Sequence, residues 1–527
     1  MNIYFAGMCI AMLFFLGISC LISRKVKNAE DFYVAGRKAP VILIAGSMIA
    51  SYTSTGMFMG DAAEAYEGAL SAMIVFAGMQ SAGYILGAEF FGRYLRRSGA
   101  MTIPEFFGQR FCSGKMRTLS AVTAIIMMTV YLLSVIQGVG TLMNVVTGVS
   151  YNVCIVIAIT VFTFISVVSG SRGVLITDTL MAGLFTVSML VAVFFIAGKA
   201  GGWFSTVAAL ARAPETRALL TWEGRPGALY ETGKDNMIWG ISYGIVWCSV
   251  CAIGPWQSSR YLMAKDEHTV VRSAPIAALG VFILEFFACI TAVLINALNP
   301  DIEQSSYVWI WAAMNVVPTF LGVILMTGVL SAGISSATTF LSLIGSSAAN
   351  DLAASKEDKS IKIGRCFMIV ASAVVAVCAI TNPPAIFVIM QLGVAAAASS
   401  WMPVAVGCIF SKRMTKKGAF CGMFAGMAGC LGANLLRSFG GVYLPAYLDP
   451  AIIGIFCNIF AIVIGSSLTK VTEEEKRAKE KLFEMPESEC DPAAVKKTLN
   501  WSRFGILVGV LMTAIMLVFW VIPFLTA

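Results

Sequence analysis

The chain has 527 residues, 58% of them hydrophobic and 13% charged, with a mean hydropathy of +0.82. A soluble globular protein carries roughly twice that charged fraction, and apolar runs of 18 or more residues, each long enough to cross a bilayer, recur along this chain. These runs are continuous, whereas β-barrel strands alternate, and the net charge of +8 is not a nucleic-acid signal, because most Lys and Arg fall in short loops that set membrane topology. The fold class read from this is an all-α polytopic membrane protein.

In chain order, fourteen spans are predicted, at about 3–22, 41–66, 70–92, 118–148, 151–168, 174–198, 236–255, 273–297, 318–349, 363–382, 386–410, 418–436, 450–469 and 504–525. The first lacks a basic stretch ahead of it and is followed by Arg24, Lys25 and Lys27. That pattern predicts a spanning helix with its N-terminus outside rather than a signal peptide.

The second span carries Ser47, Ser51, Tyr52, Thr53, Ser54, Thr55 and Gly56 at its middle. Hydroxyls beside glycine suit a helix interrupted at membrane depth, where exposed carbonyls and helix ends make ion and solute sites. They also suit an intact helix packing through small residues. Asp61, Glu64 and Glu67 follow near its outer end, to meet either a cationic group or water.

Asp178, in GVLITDTLMAGLF, lies a little inside the apolar zone on the cytoplasmic side. An intramembrane carboxylate needs a partner or an aqueous path and points to function; the other reading is an interfacial Asp solvated near Arg172. The 201–235 loop is polar and suits an external vestibule. His268, the one histidine, is read as solvated in a cytoplasmic loop.

In the ninth span, Ala332, Ser335, Ser336 and Thr339 follow i, i+3, i+4, i+7 spacing and share a helical face. Their hydroxyls can complete a hard-cation shell with carbonyls from the second span, or bond back to their own helix. Sodium suits such neutral oxygens, since several dipoles together offset its desolvation. The 470–503 loop has mixed charge; EEEKRAKEKL reads as a short surface helix or a solvated linker. The fourteen cysteines are scattered and read as reduced, buried thiols.

The charges test the count. With the N-terminus outside, 31 of the 37 Lys and Arg fall in inside loops, Arg260 and Lys356 among them. Losing or adding one span would scatter them over both sides. An even count returns the C-terminus outside.

Together, DFYVAGRK at 31–38, ASYTSTGMFMG at 50–60, MTIPEFFGQRF at 101–111, TDTLMAG at 177–183, WQSSRYLMAK at 256–265 and SAGISSATTFLSLIGSSAANDL at 331–352 resemble the sodium/solute symporter family. The resemblance covers most of the chain in the expected order. It implies a ten-helix core in two inverted five-helix repeats, here 41–200 and 236–410. Segment 1–40 would add one helix before the core, and 411–527 three after it.

The resemblance places a shared sodium site at Ala50, Thr53, Ala332, Ser335 and Ser336. A second sodium site, present in some sialic acid-type members, would map to Asp178, Thr338 and Thr339, leaving one or two sodium ions open. Proline symporters carry aspartate, and the galactose symporter asparagine, at the position of Tyr52. Met57 stands where a sugar-contacting glutamine is found, whereas Gln391 matches another. Tyr52, Met57, Tyr243, Trp247 and Gln391 are the expected substrate-site residues.

The expected function is sodium-coupled symport of a small polar organic solute, an amino acid or small carboxylate, by alternating access in the plasma (inner) membrane. A proton-coupled transporter, a sodium-linked sensor and a channel are the alternatives. No HExxH motif appears, and no enzyme is expected. The expected partners are the solute, the sodium ion and the lipid bilayer, with no nucleic acid or obligatory protein.

Overall fold

The computed structural model describes residues 3–24, 28–353, 357–383 and 385–527. Of the inside-loop cations, Lys25, Lys27 and Lys356 lie outside the described residues. The helices, most of them long and apolar enough to cross a membrane, are α1 (Ile3–Ser23), the shorter α2 (Val41–Tyr52), α3 (Met57–Arg97), α4 (Gly114–Thr147), α5 (Tyr151–Val168) and α6 (Gly170–Lys199). Then come α7 (Gly233–Ile253) and α8 (Pro255–Met263), followed by α9 (Glu267–Leu298), α10 (Thr319–Leu352), α11 (Lys359–Thr381) and α12 (Ile386–Phe410). Last are α13 (Lys416–Phe439), α14 (Pro450–Ser467), the short α15 (Glu473–Lys481) and α16 (Pro492–Leu525). Large apolar side chains such as Phe194, Phe320 and Phe460 stand exposed along these helices, as a lipid-facing surface requires.

The predicted second span is a broken helix. Its first half, α2, ends at Tyr52, and Thr53 turns to an extended φ of −64° and ψ of 112°. Its second half opens α3, which kinks at Gly68, with φ of 117°, before the next span runs from Leu70. Only glycine adopts that dihedral without strain.

The predicted 236–255 span is also broken, which the sequence reading missed. Gly254 takes φ of −59° and ψ of 142° between α7 and α8, and Pro255 starts α8. The signal was the Gly-Pro pair, since proline removes a helix donor and disfavours helical geometry in the residue before it. The two breaks are neighbours: Ser51 Oγ donates to Gln257 Oε1 at 3.2 Å.

Loops expected inside meet one another. Arg37 donates to the Gly99 and Ala100 carbonyls, and Arg96 to those of Ala264 and Lys265. Arg93 and Arg97 both bond Glu267. The 470–503 segment is a docked structure, not a solvated linker. Thr472 and Glu475 form a capping box on α15, Glu475 is fully buried, and its carboxylate accepts from the Lys416 amide.

His268 is likewise buried rather than solvated, bonded to the Glu489 carbonyl and to Thr498. All fourteen cysteines are free thiols, but Cys20, Cys112, Cys366, Cys421 and Cys490 are exposed, so the expectation of burial fails for these five.

Candidate ion and solute site

The break after Tyr52 leaves the last carbonyls of α2 short of helical donors. The Ile49 carbonyl is taken by the Thr53 amide and hydroxyl, both at 2.9 Å. Ala50 is the next residue along and is fully buried. Across from α2 runs the hydroxyl face of α10, whose Gly333 packs against Thr55 just beyond the break. Ser335 and Ser336 follow on α10, both fully buried.

The Ser336 Oγ has no hydrogen-bond partner among the described residues. A buried hydroxyl left unpaired costs stability, and an oxygen-seeking cation would satisfy it. Ser335 Oγ donates to Asp178 Oδ1 at 2.7 Å. A hydroxyl that gives its proton to a carboxylate keeps both lone pairs for a cation and becomes a better donor oxygen, in the way outer carboxylates tune ligands elsewhere.

Asp178 is fully buried, not solvated near Arg172, and its partner is Arg260. The break at Gly254 carries α8 inward, so Arg260 is 1% exposed rather than a loop cation. Its guanidinium donates to Asp178 Oδ2 at 2.9 Å, Ser47 Oγ at 3.0 Å, Thr339 Oγ1 at 2.7 Å and the Trp256 carbonyl at 2.6 Å. Ser47 in turn donates to Asp178 Oδ2 at 2.7 Å. Thr338 turns back onto the Ser335 carbonyl at 3.1 Å. Asp178 and Thr339, proposed from the resemblance as ligands of a second sodium, are thus both engaged by an internal guanidinium.

Around this centre the expected solute residues fall into two groups. Tyr52, Trp247 and Gln391 come together: the Tyr52 and Trp247 rings are 5.6 Å apart, and Trp247 Nε1 donates to Gln391 Oε1 at 3.0 Å. Gln391 Nε2 is buried without a partner among the described residues. Tyr243 instead stacks on Trp239 at 4.6 Å, with Phe387 beyond. Met57 is buried at the start of α3. A second aromatic layer, Tyr131, Trp256 and Phe340, packs with centroids 4.8–5.6 Å apart.

Glu285 escaped the sequence reading. It is fully buried on α9, where it accepts from the Tyr52 hydroxyl at 3.0 Å and from Cys289 Sγ at 3.4 Å. The only available signal was a carboxylate inside the apolar run VFILEFFACI. Asp61 is also buried, 2% exposed. Glu64 and Glu67 instead line a cavity of about 690 Å³ together with Met59, Gly60 and the 303–307 segment.

Interrupted helices holding unpaired oxygens beside buried charges are how transporters build sites within a bilayer, and the fold places this chain among multi-pass membrane transporters. The sodium:solute symporter family matches residues 32–426. The chain belongs to that family, whose members are transporters and not enzymes.

Among its relatives, an uncharacterized symporter of Cupriavidus necator is 30% identical over 200 residues, 36% of this chain and 28% of that protein. The sodium/proline symporter of Salmonella typhimurium is 22% identical over 88% of this chain and 94% of its own. That of Escherichia coli is 24% identical over 84% and 89%. The solved outward-open, substrate-bound structure of a Na+-coupled sialic acid symporter superposes with a TM-score of 0.74 at 19% identity, covering 90% of this chain and 99% of that one.

Proposed function

We propose that this protein imports a small polar organic solute, an amino acid in preference to a small carboxylate, by symport with one sodium ion across the plasma (inner) membrane, both termini lying outside. The observation that carries the sodium reading is the buried Ser336 hydroxyl on α10, which has no partner among the described residues. Ala50, Thr53 and Ala332 would supply carbonyl oxygens, and Ser335 and Ser336 their hydroxyls. One ion rather than two follows from Arg260, which already neutralises Asp178 and occupies Thr339.

Sodium bound there would tie the α2 end to α10 and fix the break beside Tyr52, Trp247 and Gln391. Solute and ion would then raise each other's affinity reciprocally. The halves 41–200 and 236–410 would rock as inverted repeats, each opening on a broken helix. Proton coupling through Asp178 is disfavoured because its carboxylate already holds an ion pair.

The test is uptake of labelled amino acids into proteoliposomes under an imposed sodium gradient. Accumulation that collapses when sodium is replaced by potassium, with one charge moved per neutral solute, supports the reading. Accumulation driven equally by a proton gradient without sodium, or passive equilibration alone, overturns it.

A further inference from the structure

The Glu285 region contains more acceptor capacity than the chain itself satisfies. Glu285 and Asp61 are both buried and lie within electrostatic range of each other. Among the described residues neither joins an ion pair, and the buried guanidinium of Arg260 is committed to Asp178. One oxygen of Asp61 has no hydrogen-bond partner among the described residues. Gln80, on the span that starts at Leu70, is a second and independent sign. Its amide nitrogen donates to the Tyr52 hydroxyl at 2.5 Å, while its Oε1 is buried without a partner among the described residues. The open valences of Asp61 and Gln80 are both acceptors.

Burying two carboxyl groups without a cation costs several kcal/mol per ionised group. Such a cost is tolerated where a cation arrives as part of function. The rings beside the site fit that cation: Tyr52 and Phe76 each meet Trp247 edge-on at 5.6 Å, and aromatic faces attract an ammonium.

From this we infer that Glu285, Asp61 and the Gln80 carbonyl form the receptor for a positively charged ammonium group on the transported solute. Tyr52 links this receptor to the break in the second span, because its hydroxyl donates to Glu285 while its ring contacts Trp247. The inference deepens the proposed function by naming the solute's charged group, and it rests on the reading of this protein as a solute transporter. A small carboxylate without an amine is excluded as substrate, since it would meet acceptors of its own sign. An amino acid or a simple primary amine fits.

The experiment is the melting temperature of the full-length protein in detergent, in sodium or potassium chloride. It uses three probe sets: the amino acids, their decarboxylated amines, and their deaminated carboxylic acids. The inference expects stabilisation by members of the first two sets and none by the third. Glu285→Gln should need at least tenfold more of the stabilising amine for the same shift, while keeping the wild-type response to sodium alone. Asp61→Asn serves the same purpose if the first variant does not fold.

Stabilisation by the carboxylic acids, no stabilisation by any amine, or undiminished amine response in the folded variant would overturn the inference. So would loss of the response to sodium alone, because the carboxylates would then hold the coupling ion. A wild-type protein that responds to amines but not to sodium over potassium would uphold the ammonium receptor and overturn the proposed sodium coupling. The two readings therefore fail separately.

Discussion

Arg260 and Asp178 form an ion pair at 2.9 Å in the interior of the molecule, with side chains 2% and 0% exposed. The pair joins four elements, because Asp178 of α6 and Arg260 of α8 are met by Ser47 of α2 and Ser335 of α10, which bond the same carboxylate. Breaking one partner of a buried pair leaves an uncompensated charge and costs about 3–5 kcal/mol. Arg260→Gln alone should therefore lower the melting temperature sharply. Asp178→Asn combined with Arg260→Gln should recover part of the loss, since both charges go together. A thermal-denaturation cycle on the four proteins checks this; additive losses would show that the pair is not coupled.

Sodium dependence separates the hydroxyls of α10. Ser336→Ala removes a proposed ligand and should raise the sodium concentration for half-maximal transport by roughly 10- to 150-fold, taking a bond to a charged group as about 1.5–3 kcal/mol. Thr338→Ala should leave it unchanged, because Thr338 already bonds its own helix. Uptake measured against sodium concentration distinguishes them. Equal effects at both positions would mean that Thr338 also ligates the ion.

The Trp247–Gln391 bond belongs to the proposed solute site. Gln391→Ala should raise the solute KM about tenfold, in keeping with one lost polar contact of about 1.4 kcal/mol, while the sodium dependence shifts far less. A change confined to maximal rate would assign Gln391 to the moving gate instead.

Close helix approach sets a steric limit at Gly83. A Cβ there would lie 2.3 Å from the Cys248 carbonyl oxygen of α7, with backbone rather than a flexible side chain in the way. Gly83→Ala should destabilise the protein by about 1–3 kcal/mol. Thermal stability in detergent reads the loss, and an unchanged melting temperature would show that α7 can yield.

Asp449, in the loop before α14, offers a pH test. Burial pushes its carboxyl up to about 6, against roughly 3.9 in an unfolded chain. A raised carboxyl pKa favours the folded state below the unfolded value, and that contribution is lost as pH rises through about 6. Asp449→Asn, which keeps the amide contact with Ala451 available, should be more stable than wild type at pH 7, by about 2–3 kcal/mol at most. The advantage should vanish near pH 4. A constant offset across that range would mean that the Asp449 charge is not the cause.

Hydropathy and loop charge alone determined the helical, many-span character of this protein. Those signals are local: an apolar run must lie in lipid, and a helix is the form that satisfies its own backbone there. The hydroxyl-rich α2 and α10 were legible for the same reason, as polar atoms where none is needed for insertion. The tertiary structure alone showed which polar groups partner one another. Arg260 reads in the sequence as one more loop cation; the break at Gly254 makes it an internal counter-charge for Asp178. Glu285 becomes meaningful only once α9 places it beside Tyr52. The 470–503 segment became structure because Glu475 found a buried partner in the Lys416 amide, far along the chain. Ion pairing and acceptor satisfaction depend on distances between segments, and linear spacing does not encode those distances.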